Sequence, residues 1–149
     1  MNRHCLFLVL FLITINISIL ADINDDLLNA AIKGQAEEVK RLIDAGAEVN
    51  AGPALALAAG LGNTETVQVL IAAGTEVNEY SDLMGGYTSL MFAAMNGHTD
   101  IVQALLVSGV EINAVNDDGK TALMLAKQAG HMDIVSALAD AVATNKKWL

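Results

Sequence analysis

Two patterns of apolar side chains divide the chain. From Cys5 to Leu20 nearly every residue is apolar, interrupted only by Thr14, Asn16 and Ser18. Beyond Ala21 the apolar residues are spaced instead. Ile101, Val102, Leu105 and Leu106, for example, recur at the three- and four-residue intervals of one helix face. Similar stretches succeed one another with glycines between them, which predicts a series of short amphipathic helices. Helices so short do not persist alone in water and must pack on neighbours.

The series repeats. Four segments align on a leucine, a small pair and a glycine: Leu27 with Ala30-Ala31 and Gly34, Leu55 with Ala58-Ala59 and Gly62, Leu90 with Ala93-Ala94 and Gly97, and Leu123 with Ala126-Lys127 and Gly130. These glycines lie 28, 35 and 33 residues apart. Five residues after each stands a valine (Val39, Val67, Val102, Val135), then the pairs Leu42-Ile43, Leu70-Ile71, Leu105-Leu106 and Leu138-Ala139. Three copies close alike, on Gly46-Ala47-Glu48-Val49-Asn50, Gly74-Thr75-Glu76-Val77-Asn78 and Gly109-Val110-Glu111-Ile112-Asn113. Each copy therefore predicts two helices, with a left-handed glycine cap after the first in all four copies and after the second in the first three. The alanine pairs let successive first helices approach closely.

In residues 25–143 the chain resembles the ankyrin repeat. Asp118-Gly119-Lys120-Thr121-Ala122-Leu123 stands where that family has D-x-G-x-T-P-L-H, with Ala122 and Met124 in place of its proline and histidine. Gly97-His98 and Gly130-His131 match its junction between the two helices. The resemblance implies an all-α solenoid of stacked helix-turn-helix pairs joined by short hairpin loops. The copies are expected at about 25–50, 51–78, 79–113 and 114–145, within a domain spanning 22–149. Stability in such a stack comes from contacts between adjacent copies.

Both ends read as complete. Asp22, Asn24, Asp25 and Asp26 offer caps and favourable charges to the first helix. The second helix of copy four runs on through Asp140 to Ala143, with Lys146 and Lys147 at its C-terminal end and Trp148 placed to fold over the last apolar face. Four copies are thus expected to be the whole array.

Regularity fails at two connections. Only Ala51 and Gly52 separate Asn50 from Pro53, which suits the first turn of the next helix. The loop from Glu79 to Tyr87 is two residues longer than its counterpart, Ala114 to Lys120, and holds both tyrosines with Leu83 and Met84. Gly85-Gly86 permits it to bend. One reading packs these side chains on neighbouring hairpins; the other makes them an apolar patch for a partner, since Tyr and Met are enriched at interfaces. In ankyrin proteins the hairpin tips and the exposed ends of the first helices line a concave binding face. The resemblance places Tyr80, Leu83, Met84, Tyr87, Met95 and Asn96 of copy three there, with Val115, Asp117, Asp118, Lys120 and Gln128 of copy four.

Composition narrows the chemistry. Eight basic against seventeen acidic residues give a formal charge of −9, which argues against nucleic acid as a partner. The single cysteine, Cys5, excludes a disulfide framework and a cysteine zinc site. His98 and His131 stand at the start of second helices, where a capping or turn-stabilising hydrogen bond accounts for them. Met91 and Met124 occupy equivalent places near the core, and the six methionines read as core and groove filling ahead of a copper site. No phosphate loop, H-E-x-x-H or dinucleotide fingerprint occurs. No catalytic residues, metal or cofactor are expected.

The opening residues set the expected location. Met1 to His4 carry one sure positive charge, the apolar run comes next, and Ala21 ends it before an acidic stretch. This order predicts a secretory signal peptide over 1–21, cut after Ala21. The run falls short of the ~20 apolar residues of a spanning helix, and an uncleaved anchor is the alternative. Loss of Arg3 with the leader would take the charge from −9 to −10 and leave no cysteine. The expectation is a monomeric periplasmic or extracellular protein-binding module, an inhibitor, immunity-type antagonist or scaffold, with no membrane contact beyond the leader. Its acidic surface is either plain solvation or a means of attracting a basic partner. The alternatives are an effector delivered to a host cell, or an enzyme or metal-handling protein on the same scaffold.

Overall fold

In the computed structural model, residues 22–50, 52–80 and 85–145 are described. They form eight helices: α1 (22–32), α2 (Ala36–Asp44), α3 (Ala54–Leu61), α4 (Thr64–Ala72), α5 (Ser89–Asn96), α6 (Thr99–Val107), α7 (Ala122–Ala129) and α8 (Met132–Asn145). No strand occurs among the described residues. The helices make four antiparallel pairs stacked in two rows. In the inner row α5 packs between α3 and α7; in the outer row α4 packs on α2, α6 on α4 and α8 on α6. The expected all-α solenoid is what the chain forms. Residues 1–21, where a signal peptide is expected, and Leu83, Met84 and the segment from Lys146 to Leu149 with Trp148 lie outside the described residues.

The alanine positions explain the inner row. Ala58, Ala59, Ala93, Ala94 and Ala126 are fully buried between successive helices. Between the rows, Val39, Leu70, Val102, Leu105, Ile134 and Leu138 complete one continuous core. Thr88 and Thr121 begin α5 and α7, each hydroxyl accepting from a backbone N–H in the first turn, Met91 or Met124, at 3.3 Å. Pro53 takes that place before α3 and supplies no side-chain cap.

Two sets of polar bonds tie each copy to the next. Asn50 Oδ1 accepts from Glu76 N at 2.9 Å, and Asn78 Oδ1 from Glu111 N at 2.7 Å. Asn24 Oδ1 accepts from Glu48 N at 2.8 Å, so Asn24 serves as the asparagine of an earlier copy. This corrects its expected role as a cap: residue 22 is already helical, and the amide faces copy one's closing turn. The second set joins inner helices. Asn63 Nδ2 donates to the carbonyls of Ala31 and Ile32, His98 Nε2 to Gly60 O at 3.0 Å, and His131 Nε2 to Met95 O at 3.1 Å. The histidines therefore satisfy the last carbonyls of the preceding copy's first helix, and neither caps its own helix by side chain.

These side chains lie against the glycines that end the inner helices. Gly62 and Gly97 have φ of +80° and +81°, and a Cβ there would come within 2.7 Å of the imidazoles of His98 and His131. Glycine is required twice over at both, for its backbone conformation and for the space.

Copy four differs because, among the described residues, no further copy covers it. Val142 stands where Gly109 ends the turn after α6, so α8 continues to 14 residues against nine for α6. Met124, expected near the core like its equivalent Met91, is 53% exposed while Met91 is 1% exposed. The register is the same; the covering copy is missing.

Candidate functional site

The face made by α5, α7 and the loops preceding them brings together four of the residues singled out in the sequence. Tyr87 and Lys120 occupy equivalent places just before α5 and α7, and Met95 and Gln128 equivalent places near their ends. Together with Leu125 and Ala129 these four line one cavity of about 230 Å³. Lys120 Nζ donates to Gln128 Oε1 at 3.2 Å across its rim. The Tyr87 ring lies 5.1 Å from the Phe92 ring at an interplanar angle of 33°, which fixes it against the inner helix.

Asn116 builds the hairpin that carries Lys120. It is 4% exposed, and its Oδ1 accepts from Asp118 N at 3.1 Å and Lys120 N at 2.8 Å. Asp117 N donates to Gly85 O at 3.1 Å, so this hairpin is joined to the long loop of copy three. A Cβ on Gly86, whose φ is +71°, would meet the Asp117 carboxylate at 2.7 Å. Asp117 thus seats the loop, and Asp118 stays exposed.

The other selected residues are spread more widely. Tyr80 and Val115 are exposed, at 43% and 51%. Asn96 is exposed and its amide donates to Gly60 O at 3.0 Å, beside the bond from His98. Sequence reasoning missed Phe92, Leu125, Ala129 and Asn116. The first two lie at a register position that reads as core, since Leu57 is its equivalent in copy two, and their proximity to a hairpin is not written in the spacing. Leu61, in the register of Asn96 and 55% exposed, was also missed.

Charge around this face is acidic. Glu79 has its carboxyl pushed above the usual range by partial burial and then by the neighbouring Glu76. Elsewhere Asp133 is held low, chiefly by the hydrogen bond it accepts from Thr99. The ion pair found among the described residues joins exposed Glu38 and Arg41 within α2, and contributes little. A larger open groove of about 590 Å³ runs between α4 and α6, where Val107 is 90% exposed.

Among the described residues no three His, Cys, Asp or Glu side chains are grouped as a metal would need, and no helix is long and apolar enough to cross a membrane. A family model described as ankyrin repeats (3 copies) matches residues 27–116 and 90–148. No curated protein gives a match to the chain.

Proposed function

The chain belongs to the ankyrin-repeat family, an array that serves as a protein–protein interaction module, and on that premise we propose that it is an exported, non-enzymatic binder. It acts by covering a partner's surface, as an inhibitor, antagonist or scaffold in the periplasm or outside the cell. The observation that carries the reading is the cavity at which Tyr87, Met95, Lys120 and Gln128 converge. It has an apolar floor and a polar rim, the form of a small anchoring site for one side chain of a partner. Tyr80, Val115 and Asp118 add exposed side chains on the same hairpins, with Leu83 and Met84 assigned to the copy-three loop from the sequence. The acidic surface favours a basic partner, whose on-rate salt would slow. The module works as a monomer.

The test uses the mature chain, immobilised and exposed to an envelope extract. A protein captured in stoichiometric amount by the wild type should be lost with Met95→Glu/Gln128→Glu. It should be kept with Gln103→Glu, which alters the α4/α6 groove instead. Equal capture by all three chains overturns the site. Export is tested separately, by N-terminal sequencing of the chain from an osmotic-shock fraction; it should start at Asp22.

A further inference from the structure

The outer row carries a groove of its own, on helices that contribute nothing to the cavity at Tyr87. It follows α4 and α6 lengthwise, with Gln68 and Ala72 on one wall and Asp100, Gln103 and Val107 on the other. Val107 is 90% exposed, the highest value among the large apolar side chains described. Nothing in the packing of the stack requires an apolar residue there. The position is exposed in all four copies; it is Asp44 in copy one and Asp140 in copy four, but Ala72 and Val107 in the middle two. One turn earlier, Lys40 of copy one gives way to Gln68 and Gln103 in the middle copies. The groove is therefore uncharged over most of its length, where the flanking copies carry charge in the same register.

It ends on a carboxylate. Asp100 stands in the first turn of α6, and its equivalent on α8, Asp133, accepts a hydrogen bond from Thr99 of the copy before. Thr64 holds the place of Thr99 one joint earlier, and it lines the groove with Asp100 without bonding to it. Asp100 is exposed and has no ion-pair partner among the described residues. Seven residues separate it from Val107 along α6, about 10 Å of helix axis.

We propose that this groove seats an amphipathic helix of a partner protein, running antiparallel to α4 and α6. Apolar side chains at its positions i and i+4 lie against Ala72, Ala104 and Val107, and a Lys or Arg at i+7 pairs with Asp100. The small side chains of Ala72 and Ala104 admit a third helix at ordinary packing distance. In the antiparallel sense the cation falls in the last turn of the partner helix, where that helix's own dipole favours it. Charge selects this occupant over a second copy of the chain. At a formal −9 each, two copies repel, whereas a cationic helix is drawn to an acidic protein.

The probe is a fluorescein-labelled, alanine-based helical peptide with leucines at i and i+4 and arginine at i+7, titrated with the mature chain and followed by anisotropy. It should bind, and more weakly as salt rises. Val107→Asp, which gives copy three the residue of the end copies, should weaken binding about tenfold through loss of a buried valine, with circular dichroism and Tm unchanged. Asp100→Asn should weaken it severalfold and flatten the salt dependence. A peptide with glutamate at i+7 should bind poorly to the wild type, and Met95→Glu/Gln128→Glu should bind the arginine peptide normally. Failure of the arginine peptide to bind, or binding that ignores Val107→Asp or the glutamate, overturns the proposal. Binding lost in Met95→Glu/Gln128→Glu would move the helix to the inner face and overturn it too. A dimer of the chain that Val107→Asp dissociates would overturn it in favour of a second copy.

Discussion

Copies two and three share a backbone and differ in how it is held. Copy three starts α5 from the Thr88 hydroxyl, fills the interior with Met91 and Ile101, and ties back through His98. Copy two starts α3 from Pro53, has Ala56 and Thr66 at the same interior positions, and ties back through Asn63. Thr66 is fully buried, and its hydroxyl has no hydrogen-bond partner among the described residues. The difference teaches that the left-handed glycines and the buried leucines define the brick, while caps and interior volume are adjustable within it.

Four measurements would break or sharpen that contrast. The largest effect is expected from the leucines common to both copies: Leu70→Ala and Leu105→Ala should each cost about 2–5 kcal/mol in urea unfolding, and a clearly smaller loss in copy two would show its packing to be looser. Next come the glycines. Gly97→Ala should cost more than the roughly 1–2 kcal/mol of the left-handed conformation alone, because the His131 imidazole must also move. Gly130→Ala meets no neighbour among the described residues and should cost only the conformational part. Thr66→Val should raise stability by about 1 kcal/mol by removing a buried hydroxyl without a partner; the corresponding hydroxyl introduced by Ile101→Thr should lower it. The smallest effect concerns Asp133, whose folded pKa lies below its unfolded value. The stability it adds is present above the unfolded pKa and disappears as pH falls through the folded one. Thr99→Val should shift its titration, tracked by NMR, back up toward an ordinary aspartate.

The helical spacing and the glycines made the pairs and their order legible, because both are local rules. Bonds that cross between copies were not. Asn24 reads locally as a cap, yet its partner is Glu48 N, 24 residues on. His98 reads as part of a turn, yet it binds Gly60 O, 38 residues back. Met124 is misplaced by the sequence because equivalence of register does not guarantee equivalence of surroundings. At the candidate site, residue type found Tyr87, Met95, Lys120 and Gln128. Phe92 and Leu125 escaped because a position that is apolar in every later copy gives no sign that it packs on Tyr87, as Phe92 does, or lines the cavity, as Leu125 does.

The imidazoles seated on Gly62 and Gly97 have a consequence for how such a chain can be recombined. Each lock has one half in the donor segment and the other in its successor, so a segment cut at the loops and grafted elsewhere arrives with a side chain that needs a matching glycine upstream. A splice that keeps the pair together, Gly62 with His98 or Gly97 with His131, preserves the joint. One that separates them sets a new side chain on the old hinge. For lengthening, shortening or shuffling this array, the natural unit of exchange straddles two copies.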